Sequence, residues 1–194
     1  MSFRYQLSRP LAYWSVEAPS IPFYRLWGPA GLTLIISVLL LVLPVGIDIV
    51  GDRSLVSFLS QLFAILPGFY IASLAAVVAF QGGDLDKEMP DATASITANG
   101  DTSDVEITLR VFLCYLFAYL TVLAFVGFFT CMAGALAAPS FNMILADSEV
   151  ANWVRPLLAS IYVAFLIFIT ASLVLCTIQG LYFLAERVHQ TLVE

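Results

Sequence analysis

Charge is missing from the middle of every long apolar run in this 194-residue sequence. No Asp, Glu, Lys, Arg or His stands near the centre of any of them. Transporters and pumps commonly place such groups there for proton relay or ion pairing, so a proton-coupled carrier is disfavoured. Cysteine is scarce. Cys114, Cys131 and Cys176 are far apart with no Cys-x-x-Cys, which argues for small packing residues rather than a disulfide framework or a metal site. The one histidine, His189, lacks the neighbouring carboxylates or thiolates that would make it a ligand. His-Glu-x-x-His, Gly-x-Ser-x-Gly, a Walker loop and a dinucleotide fingerprint are all absent, so neither enzymatic activity nor a metal or cofactor is expected.

What is present is mostly apolar: 61% of the residues are hydrophobic and 11% charged. A soluble domain of this size would not bury so much apolar surface. Four runs, Gly28 to Ile47, Leu55 to Phe80, Leu109 to Ala138 and Pro156 to Ala185, meet or exceed the ~20 residues a helix needs to cross ~30 Å of hydrocarbon. The expected fold class is all-α, a polytopic four-transmembrane-helix bundle. The chain divides into a tail (1–27), the first two spans (28–80), an acidic loop (81–108), the last two spans (109–185) and a C-terminal tail (186–194). The start lacks the short apolar core and small-residue cleavage site of a signal peptide, so the first span is expected to remain as an anchor. Four spans put both termini on one side. With the termini inside, Arg4, Arg9, Arg25, Lys87, Arg110 and Arg187 face the cytosol and only Arg53 and Arg155 face outward, the arrangement favoured by the positive-inside rule.

The polar material is concentrated in "QGGDLDKEMPDATASITANGDTSDVE", residues 81 to 106. Asp84, Asp86, Glu88, Asp91, Asp101, Asp104 and Glu106 stand there against Lys87 alone, which accounts for the chain's formal net charge of −6. An anionic cytoplasmic leaflet repels such a segment into solvent. One reading is a solvated linker. The other is a docking arm for a cytosolic protein with a basic face, with Asp84, Asp86, Glu88, Asp91, Asp101 and Asp104 as the partner-binding candidates. Direct binding of nucleic acid is not expected, because phosphate would be repelled. Ser103 and Glu106 have the spacing of a capping box, which predicts a helix starting there and running on into the third span. The competing reading makes Asn99-Gly100 the turn of a small hairpin.

In the N-terminal tail, Pro10, Pro19, Pro22 and Pro29 interrupt any continuous helix, and Tyr13, Trp14, Phe23, Tyr24 and Trp27 are rings suited to an interface. The tail is expected to lie along the inner headgroups or to cap the bundle. Within the spans, Pro67-Gly68 predicts a kink. Polar residues do occur in the spans, among them Gln61, Ser73, Thr121, Thr130, Thr170, Ser172 and Thr177; they are expected to serve packing, with an uncharged pore in an oligomer as the alternative. Small residues recur at four-residue steps: Gly68, Ala72 and Ala76; Gly127, Cys131 and Ala135; Thr130, Gly134 and Ala138; Ser172, Cys176 and Gly180. Gly68, Ala72, Gly127, Gly134 and Gly180 are thus the helix-packing candidates, within one chain or in a homo-oligomer. The first span has no such ladder and is expected at the periphery, against lipid.

The tetraspan layout, the polar loop after "LPGFYIASLAAVVAF" and the following "EITLRVFLCYLFAYL" resemble the small membrane subunits of bacterial antiphage systems, in particular the Kiwa membrane subunits. That resemblance implies a homo-oligomeric, multi-pass sensor or scaffold in the bacterial inner membrane. It would hold a cytosolic, nucleic-acid-binding effector near the membrane and respond to phage attack. A channel and an accessory transporter subunit are the other function classes left open.

Overall fold

The computed structural model describes residues 13–14, 16–17, 21–42, 51, 54–79, 84–86, 88–98, 101–144 and 151–190. Four helices dominate: α1 (Gly28–Val42), α2 (Leu55–Ala79), α3 (Leu109–Ile144) and α4 (Ala151–Gln190). A π-helical turn, Phe23–Trp27, leads into α1, so the first apolar window runs from Phe23 to Leu40. All four are long and apolar enough to cross a membrane, and the membrane-spanning part is the expected all-α bundle. Residues 43–47, expected in the first span, lie outside the described residues. At 1.5 Å per residue α3 is about 54 Å long, more than the hydrocarbon thickness, so it tilts or protrudes.

α1 lies against α4, α4 against α3, and α3 against α2. The core forms around α3, where Phe112, Leu113, Leu116 and Leu120 are fully buried against Phe63 and Tyr70 of α2 and Leu166, Ile169 and Leu173 of α4. α1 is peripheral: 6% of its apolar window is buried, against 44% for α3. Its Leu34, Ile35, Val38 and Leu39 are exposed, which is stable only in contact with lipid or another apolar surface.

The acidic segment does not continue as a helix from Ser103. Instead β2 (Glu88–Ala98) and β3 (Asp101–Thr108) form an antiparallel hairpin, and β1 (Val16–Glu17) adds to the other edge of β2, giving the strand order β1-β2-β3. The register runs from Ala98↔Asp101 to Thr93↔Glu106 and then shifts before Glu88↔Thr108. The shifted stretch contains Pro90, which has no N–H to give to a ladder. The capping-box expectation fails because "DVEIT" has period-two, β-branched character and finds a partner strand, so cross-strand pairing outweighs a local cap. The helix begins six residues later, where Thr108 Oγ1 takes the N-cap role and accepts a long 3.5 Å bond from Val111 N.

Glycine positions divide by what a side chain would meet. A Cβ on Gly127 would lie 2.8 Å from the Phe63 ring of α2. On Gly180 it would lie 3.0 Å from Leu116 of α3, and on Gly134 it would run into the Tyr162 phenol, whose hydroxyl donates to Thr130 O at 3.2 Å. Gly68 has open space around it, and Gly68, Ala72 and Ala76 are all exposed on the outer side of α2. α2 is one continuous helix through Pro67. Replacing Gly127 by leucine should therefore destabilise the folded chain by about 1–3 kcal/mol, the usual cost of overpacking. Gly68→Leu should leave monomer stability unchanged and act, if at all, on native mass. Thermal midpoints in detergent, read beside native mass, check this, and equal destabilisation by the two variants would contradict it.

Candidate docking arm and its seat on the bundle

The hairpin follows directly from the end of α2. The last four carbonyls of a helix have no intrahelical donor, and the C-terminus attracts cations. Arg110, in the first turn of α3, meets both needs: its NH1 donates to Val77 O of α2 at 3.1 Å. The same guanidinium grips Asp86 with two bonds, Nε to Oδ1 at 2.7 Å and NH2 to Oδ2 at 3.0 Å. Such planar, paired recognition of a carboxylate is specific to arginine. Asp86 sits in a single 3-10 turn, Asp84–Asp86, between α2 and β2. One side chain therefore ties the end of α2, the entry to the hairpin and the start of α3.

The opposite edge of the sheet is held by the N-terminal segment. β1 pairs Val16 with Ala94 and Glu17 with Thr93, and Val16 is buried. Tyr13, just before β1, is fully buried, stacks on Tyr119 at 5.1 Å between centroids and donates its hydroxyl to Gln179 Oε1 of α4 at 3.0 Å. Burial pushes the Tyr13 phenol above its ordinary value of 10.0, neighbouring Cys176 adds to the rise, and Arg25 opposes it. Arg25 donates to Trp14 O at 2.9 Å and lies 4.7 Å over the Trp14 ring, a cation–π contact. At this position the tail caps the bundle. The cap has unmet polarity: among the described residues Arg25 Nε and Gln179 Nε2 are buried with no hydrogen-bond partner, each at a cost of about 1–3 kcal/mol.

Of the six partner-binding candidates, Asp86 is committed to Arg110, and any partner using it must compete with that pair. Asp84 stands in the turn with it, Glu88 and Asp91 in β2, and Asp101 and Asp104 in β3. One hairpin with its entry turn thus carries all six. Among the packing candidates, Gly127, Gly134 and Gly180 are at helix contacts, whereas Gly68 and Ala72 are on an outer face. The hydroxyls expected to serve packing are satisfied locally. Ser73, Thr121, Thr130, Thr170, Ser172 and Thr177 each donate to the carbonyl four residues back, at 2.6–2.9 Å. Thr177 Oγ1 also meets Tyr70 Oη at 2.8 Å, joining α4 to α2. Cys131 and Cys176 are buried, and all three cysteines are free thiols. Among the described residues no group of three or more His, Cys, Asp or Glu could hold a metal ion.

Sequence reasoning missed Arg110 and Gln179 as structural ties. Arg110 entered only as a unit of positive charge, and nothing local connects it to a carboxylate 24 residues earlier. Gln179 is a buried side-chain amide in the C-terminal half of α4, at 3% exposure, and a carboxamide within an apolar run is the signal that could have marked it.

Tyr13→Phe should leave Gln179 Oε1 without its donor and lower stability by about 1–3 kcal/mol. The pH dependence has a definite sign. Above about pH 10 an unfolded tyrosine ionises while buried Tyr13 keeps its proton, so the folded chain loses this stability as pH rises. Thermal midpoints of the parent should fall between about pH 9.5 and 11 more steeply than those of Tyr13→Phe. Superimposable pH profiles together with equal midpoints at pH 8 would contradict this.

No protein-family model matches the chain, and neither a curated protein nor a solved structure matches it.

Proposed function

We propose that this chain is a small oligomeric scaffold or sensor of the bacterial inner membrane, with both termini and the acidic hairpin in the cytosol. The hairpin recruits a cytosolic effector protein with a basic face. The Kiwa resemblance implies that the setting is antiphage defence and that the effector binds nucleic acid. One observation carries the reading: the acidic segment is paired into a hairpin and tied to the bundle through Arg110 on one side and β1 on the other. A connection that serves only to join two spans needs neither tie. A fixed display of carboxylates presents a constant charge pattern, which speeds and selects encounter with a basic surface. The exposed apolar face of α2 around Gly68 and Ala72 supports self-association in the bilayer, where small residues let helix backbones approach. The hydroxyls that would line an uncharged pore are already bonded to their own helices, so no observation favours the channel reading.

Co-purification from native membranes tests this. A variant carrying Asp84→Asn, Glu88→Gln, Asp91→Asn and Asp101→Asn keeps the Asp86–Arg110 tie and should insert at the parent level. Recovery of a basic cytosolic protein should fall about tenfold or more, equivalent to about 1.4 kcal/mol. Parental recovery should also fall as salt rises from 0.1 to 1 M and the Debye length shortens from about 10 to about 3 Å. Identical recoveries by parent and variant at both salt levels would overturn the proposal.

A further inference from the structure

Among the described residues the strand order β1-β2-β3 leaves β3 at an edge of the sheet. Its principal contacts are with β2 and with α3, which follows it. The register settles which backbone groups face outward. Two residues separate Ala98 from Asp101, and a two-residue connection closes on a hydrogen-bonded pair. Antiparallel pairs then alternate, so Ile96↔Ser103 and Ala94↔Val105 also exchange bonds, whereas Thr97↔Thr102, Ser95↔Asp104 and Thr93↔Glu106 do not. In those second pairs the N–H and C=O point away from the partner strand. Thr102, Asp104 and Glu106 therefore offer three donors and three acceptors along the outer edge of β3.

An open edge of this kind is a template for another strand. Charge decides which strand. Residues 101–108, "DTSDVEIT", contain three carboxylates and no basic residue. Joining β3 to the β3 of a second copy would set carboxylates against carboxylates, which is destabilising. An extended segment with lysine or arginine at alternate positions gains both the main-chain bonds and the opposite charge. We infer that the outer edge of β3 takes up an extended basic segment of the cytosolic partner as an added strand, an inference that rests on the docking function proposed above and specifies its mode.

The probe is an alternating lysine–threonine octapeptide blocked at both ends, titrated against the full chain in detergent. Its control has the same charge but is N-methylated at every second amide, so one edge cannot donate. The plain peptide should bind about tenfold or more tightly than the control, about 1.4 kcal/mol. It should also slow amide exchange at Thr102, Asp104 and Glu106. Equal binding of the two peptides would overturn strand addition while leaving charge-based docking intact. Binding by neither would overturn the inference too, marking the carboxylates as guards against edge pairing. The docking function itself would then stand or fall on co-purification alone.

Discussion

The arrangement at the polar end of this molecule depends on one guanidinium. Arg110 holds a carbonyl in the last turn of α2 and the carboxylate of Asp86, and it does so from the first turn of α3. The hairpin that leaves α2 and returns as α3 is therefore pinned at its base. Without that tie the two helices would still pack, since Phe63 against Gly127 and the buried leucines of α3 lie deeper in the bundle. The strands, however, would be held to it through β1, the buried Ile107 of β3 and the backbone, without a tie at the entry turn. A two-stranded hairpin is marginal on its own in water, and the tie and the third strand supply what it lacks.

The membrane part and the polar end follow different rules. In hydrocarbon the backbone groups are satisfied within their own helices, apart from those that prolines such as Pro67 leave without a donor, and the serine and threonine hydroxyls donate to the same helices. What distinguishes one helix face from another there is shape: the Phe63 ring fits over Gly127 and Tyr162 over Gly134, whereas Gly68 of α2 stands in open space. At the polar end, side chains tie elements far apart in sequence, as Tyr13 does with Gln179 and Arg110 with Asp86. Among the described residues two donors buried there, Arg25 Nε and Gln179 Nε2, have no partner.

Hydropathy alone made the four helices legible, because a span of this length without charge has few other structures open to it. The peripheral position of α1 was also readable, from its lack of a small-residue ladder of the kind seen in the other spans. The hairpin was harder. Ser103 and Glu106 satisfy a local helix-start pattern, and only the non-local pairing with residues 93–98 overrules it. The Asn99-Gly100 signal pointed to the hairpin that β2 and β3 form, although those two residues lie outside the described ones; but a capping box and a hairpin turn four residues apart cannot be ranked without knowing that a partner strand exists. Gly68 and Gly134 show the same limit. Both belong to four-residue ladders in sequence, yet one faces outward and the other lies under a tyrosine, a difference set by helix rotation that spacing does not encode. Asp86 looked like one carboxylate among seven until its partner, Arg110, came from the next element.

Amide hydrogen exchange along residues 93–106 of the full chain in lipid nanodiscs tests most directly whether the acidic segment is a fixed arm or a loose connection. A seated hairpin should protect the amides of Ala94, Ile96, Ser103 and Val105, whose pairs exchange hydrogen bonds, while those of Thr102, Asp104 and Glu106 exchange quickly at the open edge. Uniformly fast exchange across the whole segment would contradict this, because a solvated linker has no register and no edge to offer a partner.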